Sequence, residues 1–232
     1  LVIAGTDTGV GKTLLSGGLA AALRTAGIDV GVMKPVESGC RIEKGKPVPE
    51  DAIFLRRMAE TRDELGLINP YALEHPIAPA LAARREGVVI RIEVVKEAFF
   101  QLAARHDLVL VEGAGGLLSP LAEDWSLPRL IEELRAPVLI VARNTLGTIN
   151  QCLLSVDHAR RAGIMVMGIV LNHTRRESGL AEQLNSDAVR AWGKIPVLGV
   201  LPYISRKGPK GIASAVRNNI DLNPIIEWAR SN

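Results

Sequence analysis

Short, nearly unbroken aliphatic runs alternate along the chain with longer stretches in which apolar residues recur every three or four positions. The runs at 1–4, 30–33, 108–111, 138–141, 166–171 and 197–201 predict strands buried on both faces, as a parallel sheet covered by helices requires. Between them, Leu15, Leu19, Ala22 and Leu23 line one face of a helix that stops at Gly27, and Ile149, Cys152, Leu153 and Val156 line another that stops at Gly163. Weaker helical periods cover 51–60, 93–105, 127–134 and 179–191. Strand followed by helix, repeated, predicts an α/β fold: a doubly wound, mostly parallel sheet with helices on both faces and ligands beyond the carboxyl ends of its strands. No repeat, linker or low-complexity segment breaks the pattern, so residues 1–232 read as one domain.

Composition narrows the function classes. A chain of 232 residues can bury roughly 70–75% of its unfolded surface, enough for a core without disulfide or metal staples. Three Trp, two Tyr and three Phe provide no row of stacking rings for single-stranded nucleic acid. The net charge of +3 is spread in short pairs such as Arg56-Arg57, Arg160-Arg161 and Arg175-Arg176, which is no nucleic-acid footprint. Two cysteines, Cys40 and Cys152, form no disulfide framework and read as ordinary thiols of a reducing compartment. No apolar run reaches the 18 or so residues of a membrane span, and the apolar start runs straight into a glycine loop, unlike a signal peptide. The expectation is a cytoplasmic protein without nucleic-acid or membrane partners.

Four motifs carry candidate chemistry. Gly5-Thr6-Asp7-Thr8-Gly9-Val10-Gly11-Lys12-Thr13 follows one predicted strand and opens a predicted helix, the setting of a phosphate-binding loop (P-loop). There backbone N–H groups meet phosphate oxygens, the Lys neutralises charge and the Thr hydroxyl reaches Mg²⁺. The spacing is one residue longer than the usual form, and the plain alternative is a glycine-rich turn without a ligand. Next, Lys34 opens Lys34-Pro35-Val36-Glu37-Ser38-Gly39 just past a buried strand, where a second ammonium would neutralise a transferring phosphoryl group; a surface Lys beside a proline turn is the alternative. Third, the run at 108–111 ends in Glu112 and a glycine loop, Gly113-Ala114-Gly115-Gly116, and an acid there orients Mg²⁺ unless it merely faces solvent. Asp51 is either a further Mg²⁺ ligand or a helix-terminal residue favoured by the dipole. Fourth, Asn172 ends another strand, suited equally to a nucleobase edge or a turn. The four histidines show no metal-ligand spacing and take no role.

With GTDTGVGKT, KPVESG, EGAGG and LNH in this order and spacing, the sequence resembles the dethiobiotin synthetase family over nearly the whole chain. The resemblance implies a P-loop NTPase-like fold, ATP and Mg²⁺ as cofactors, a homodimer, and diaminononanoate and CO₂ as substrates. It implies that Gly9, Val10, Gly11, Lys12 and Thr13 hold phosphates, that Thr13, Asp51 and Glu112 bind Mg²⁺, and that Leu14, Gly113, Ala114 and Gly115 belong to the nucleotide site. Lys34 and Lys12 would be catalytic, with Thr6 and Ser38 facing the diamine. Gly116 and the stretch containing Gly147 and Asn150 are similar to the part that receives the substrate's carboxylate tail near a dimer interface. Asn172, Pro202, Tyr203 and Ile204 resemble the base-binding wall. The implied chemistry needs no protein nucleophile: an amine captures CO₂ as a carbamate, ATP phosphorylates it, and the tethered second amine closes the ring.

Two departures stand out. Gly9 replaces the Glu of many members, and after Pro202 this chain reads Ser205-Arg206-Lys207-Gly208-Pro209-Lys210, where some relatives are acidic. The basic loop is either solvated or an extra phosphate contact. A switch ATPase of the partitioning type is the competing reading, but such loops carry a Lys near their start, which Gly5-Thr6-Asp7-Thr8 lacks. A cobyrinate-amidating enzyme would need a further glutaminase domain, for which the chain is too short.

Overall fold

The structure, a computed structural model, describes residues 1–176, 179–205 and 208–231. Arg206 and Lys207 of the basic loop lie outside the described residues. In chain order the elements are β1 (Val2–Gly5), α1 (Lys12–Thr25), β2 (Val30–Met33), β3 (Val36–Ser38), β4 (Arg41–Glu43), β5 (Lys46–Val48), α2 (Glu50–Ala59), α3 (Leu65–Ile68), β6 (Tyr71–Leu73) and α4 (Pro79–Glu86). There follow α5 (Ile92–Ala103), β7 (Leu108–Gly116), α6 (Leu127–Leu134), β8 (Val138–Arg143), α7 (Thr148–Arg161), β9 (Val166–Asn172), α8 (Leu180–Gly193), β10 (Val197–Leu201), α9 (Pro209–Asn219) and α10 (Asn223–Ser231).

Six strands form one sheet in the order β10-β9-β8-β1-β7-β2, every pair parallel. All six are the aliphatic runs of the sequence. Alternation within a strand divides the core in two. Val2 and Ala4 of β1 join Val138, Ile140 and Ala142 of β8 beneath α5, α6, α7 and α8, while Leu1 and Ile3 join Leu139 and Val141 beneath α1, α2, α9 and α10. Among the described residues no helix is long and apolar enough to cross a membrane.

From β1 the chain moves out to β2 on one side and later reaches β8 on the other, so β1 ends at the point where the winding reverses. That crevice is where open α/β sheets bind ligands. One expectation needs correction: the glycines after Glu112 do not begin a loop. β7 continues to Gly116, with an irregular register that pairs Ile3 with Glu112 and Gly5 with Gly116. Glycine removes side chains from this end of the strand, where Gly115 comes close enough to accept a hydrogen bond from the Lys12 ammonium. The small pairs β3–β6 and β4–β5 were not legible as strands; each strand is three residues long, and β4 is exposed throughout.

Candidate active site

Residues 6–11 connect β1 to α1, and Gly11 caps the helix at φ 93, a conformation that disfavours any side chain. A Cβ at Gly11 would also stand 2.0 Å from the Asn172 amide nitrogen. No side chain caps α1, so its first-turn N–H groups and positive dipole end are open to an anion. Lys12, in that first turn, is buried and folds back on the loop, donating to the carbonyls of Gly115 (2.6 Å) and Asp7 (3.2 Å). Burial and then the nearby Lys34 charge lower its pKa to about 8, with Glu112, Asp51 and Asp7 opposing.

Lys34 leaves the end of β2 and is 5% exposed. Its ammonium lies 2.5 Å from Glu112 Oε1 and 3.0 Å from Asp51 Oδ2. Burial works against this charge, but the two carboxylates outweigh it and hold the pKa above the ordinary lysine value. Glu112, within β7 and 1% exposed, also accepts the Thr13 hydroxyl at Oε1, at 2.7 Å. Its Oε2 is buried without a partner. Asp51 stands in the first turn of α2, as its helix-terminal reading expects, and its carboxylate reaches Lys34 from there.

The protein therefore supplies three oxygen donors, Thr13, Glu112 and Asp51, around a position held by an ammonium, with one more carboxylate oxygen unspent. Among the described residues no three His, Cys, Asp or Glu side chains make a complete metal cage. A partial set of one or two carboxylates and a hydroxyl suits Mg²⁺, which keeps waters and takes its remaining ligands from phosphate. The residues present fit that ion.

Other sequence candidates divide into those the fold brings to this cluster and those it does not. Asn172, 2% exposed, donates to the Val10 carbonyl at 2.8 Å and keeps its Oδ1 unpartnered. Gly5 accepts the Leu117 N–H at 2.8 Å, which draws Thr6 and Gly116 together; Thr6 Oγ1 is buried without a partner. Ser38 is half-buried two residues beyond Val36. Gly147 caps α7 at φ 92 and Asn150 is exposed in its first turn, while Pro202 and Tyr203 are exposed and Ile204 packs on the α1 side. No hydrogen bond or ion pair among the described residues joins Gly147, Asn150 or the 202–204 segment to the lysine–carboxylate cluster.

Three contributors escaped the sequence reading. Asn69 donates to the Lys34 carbonyl at 2.7 Å while the Lys34 N–H donates to Ile68 at 2.7 Å, so the 68–69 turn grips that lysine from both sides. Arg143, at the end of β8, lies 3.4 Å from the carbonyls of Thr8 and Gly9 and borders a cavity of about 320 Å³ between the ends of β8 and β9. Glu37 receives two N–H groups of α2. Glu37 stood within the Lys34–Gly39 motif without a role, and the Asn-Pro step at 69–70 was the visible signal for the turn.

Comparison with known proteins settles the family. A family model described as an AAA domain matches residues 1–210. The chain is 38% identical over 224 residues to the ATP-dependent dethiobiotin synthetase BioD of Bacillus licheniformis, covering 97% of this chain and 94% of that one. It is 43% identical over 203 residues to the protein of the same name from Anaeromyxobacter dehalogenans, covering 88% and 89%. The chain belongs to the dethiobiotin synthetase family. It is accordingly an enzyme of the ATP-dependent ligase class. The namesake from Nitrosopumilus maritimus is 33% identical across 98% of this chain and 99% of its own. In fold the chain is similar to a MinD cell division protein of Aquifex aeolicus (TM-score 0.52, 17% identity, covering 99% and 94%). It is equally similar to a ParA family ATPase of Chlorobium tepidum (TM-score 0.52, 16% identity, covering 98% and 96%). These two likenesses establish the P-loop NTPase fold and nothing about activity.

Proposed function

We propose that this synthetase-family chain closes the ureido ring of dethiobiotin, joining 7,8-diaminononanoate and CO₂ at the expense of ATP. The observation that carries the reading is the convergence of Lys12, Thr13, Lys34, Asp51 and Glu112 at the ends of three adjacent strands. A neutral amine nitrogen attacks CO₂ and loses a proton, giving a carbamate. A carbamate oxygen takes the γ-phosphoryl group and ADP departs. The second amine attacks the same carbon, loses a proton and expels phosphate, closing a five-membered ring. Lys34 neutralises charge on the carbamate and the transferred group, and Lys12 does so on the nucleotide's β/γ oxygens. Mg²⁺, held by Thr13, Asp51 and Glu112 with nucleotide oxygens, would spread the phosphate charge. The reading keeps Thr6, Ser38, Gly116, Gly147 and Asn150 for the diamine and its tail, and Asn172 with Pro202–Ile204 for the base.

A homodimer of single-domain chains acting in the cytoplasm belongs to the same proposal. Leu146 beside Gly147 is 84% exposed and supports a second copy near the tail site, and two free, buried cysteines suit a reducing compartment.

The test is phosphate release from MgATP with diaminononanoate and bicarbonate added singly and together, alongside mass-spectrometric detection of dethiobiotin. Turnover requiring both supports the reading; stimulation by DNA or lipid without dethiobiotin would replace it with a switch ATPase. Lys12→Ala and Lys34→Ala should each cost roughly 2–4 kcal/mol of barrier, about 30- to 1000-fold. Only Lys12→Ala should also weaken nucleotide binding.

A further inference from the structure

Helix α2 begins at Glu50 after Pro49, and no local side chain caps it. Its cap comes instead from β3. Glu37, 6% exposed, accepts the N–H of Asp51 at Oε1 (2.9 Å) and of Ala52 at Oε2 (3.1 Å). A helix is ordinarily capped by a Ser, Thr, Asp or Asn at its own start, without burying a charge. Here a buried carboxylate is used, and burial is the main cause that pushes its pKa upward.

The geometry gives that arrangement a use. Asp51, whose backbone N–H is held by Glu37, is the residue whose side chain reaches Lys34 at 3.0 Å. Lys34 in turn lies three positions before Glu37 on the same stretch of chain. The contacts therefore close a ring, Lys34 to Glu37 along the backbone, Glu37 to Asp51, and Asp51 back to Lys34. A local cap would satisfy α2 equally and leave Asp51 free to drift relative to the lysine.

We propose that Glu37 is a positioning residue: it fixes the carboxylate of Asp51 against the end of β2 and so sets the metal and lysine geometry of the site. This rests on the Mg²⁺ role given to Asp51 above. Groups that orient a ligand from behind typically matter about 10- to 100-fold in metal affinity. The experiment measures Mn²⁺ binding to the protein–ADP complex by electron paramagnetic resonance, with thermal melts in parallel. Glu37→Ala should weaken Mn²⁺ about tenfold. Glu37→Gln, which keeps one acceptor oxygen, should recover part of the loss. Because Glu37 acts through Asp51, the double variant Glu37→Ala/Asp51→Asn should bind Mn²⁺ no more weakly than Asp51→Asn alone. If Glu37→Ala fails to fold, Glu37→Gln takes its place in the cycle. Additive losses, or a Glu37 variant that melts lower yet binds Mn²⁺ as wild type does while Asp51→Asn binds weakly, would overturn this inference alone. Mn²⁺ binding indifferent to Asp51→Asn would overturn the metal reading with it.

Discussion

Binding of MgADP above pH 7 is expected to draw a proton from solvent, and Lys12 is where it goes. In the free protein the Lys12 pKa falls from 10.5 to about 8 because burial and the Lys34 charge outweigh Glu112, Asp51 and Asp7. That shift is worth about 3 kcal/mol against the charged form. Below pH 8 both folded and unfolded chains carry the proton, so the fold bears the whole penalty; between about 8 and 10.5 the unfolded chain binds more protons, and this group's contribution to stability rises with pH. On the proposed role of Lys12, phosphate oxygens beside the ammonium would return its pKa to the ordinary range. Uptake should then be about 0.1 proton per site at pH 7, about 0.5 at pH 8 and about 0.9 at pH 9, with affinity about tenfold weaker at pH 9 than at pH 7. Lys34 stays charged across this window, and both thiols are pushed by burial to about 11, so neither interferes. The measurement is calorimetric titration of MgADP in paired buffers of different ionisation enthalpy. Lys12→Met should remove the uptake along with much of the affinity. An equal proton count in the two proteins, or proton release by wild type at pH 8, would refute this account of the P-loop lysine.

Lys34→Met leaves Glu112 buried with only the Thr13 hydroxyl, so it should cost about 3–5 kcal/mol, near 10 °C in Tm. Glu112→Gln keeps an acceptor for Lys34 and leaves Asp51 in place, and should cost about 1–2 kcal/mol; equal losses in urea melts would count against the ion-pair reading. The wild-type contribution of Lys34, its folded pKa being raised, is fully present below 10.5 and lost only at higher pH. Asn172→Ala removes the donor on the Val10 carbonyl and should lower stability by about 1–3 kcal/mol while weakening ADP binding; unchanged ADP affinity would free Asn172 from a part in holding the P-loop.

The main sheet was legible because a strand covered on both faces has to be apolar at every position, so its run of aliphatic residues stands out whatever surrounds it. α1 and α7 were legible for a related reason, each ending at a glycine that marks the stop. Elements outside the sheet lacked such a constraint. α4 buries Ala80, Ala82 and Ala83, residues too small to make a strong stripe, and β4 buries nothing. The extension of β7 past Glu112 was hidden because Gly-Ala-Gly-Gly reads as a turn, whereas here the missing side chains let the neighbouring backbones close up.

The site divides along a similar line. Lys12, Thr13, Lys34 and Glu112 were readable because their charge or hydroxyl stands in a glycine- or strand-bounded motif whose spacing places it. Glu37 and Asn69 act on backbone N–H or carbonyl groups of other segments, as does Asn172, a sequence candidate whose contact with the Val10 carbonyl was not readable; every residue carries such a carbonyl, and every residue but proline such an N–H. A side chain aimed at a backbone leaves no complementary partner in the sequence, so its target appears only once the elements are folded together. Asp51 sits across the boundary. Its place near the start of a helix was legible, and so was its suitability as a carboxylate ligand, but the two were set against each other as alternatives. The fold bears out the first and makes the second possible in the same place: the helix start that favours the carboxylate also carries it to Lys34, where the proposed Mg²⁺ role needs it, and Glu37 ties that helix start to the strand following the lysine.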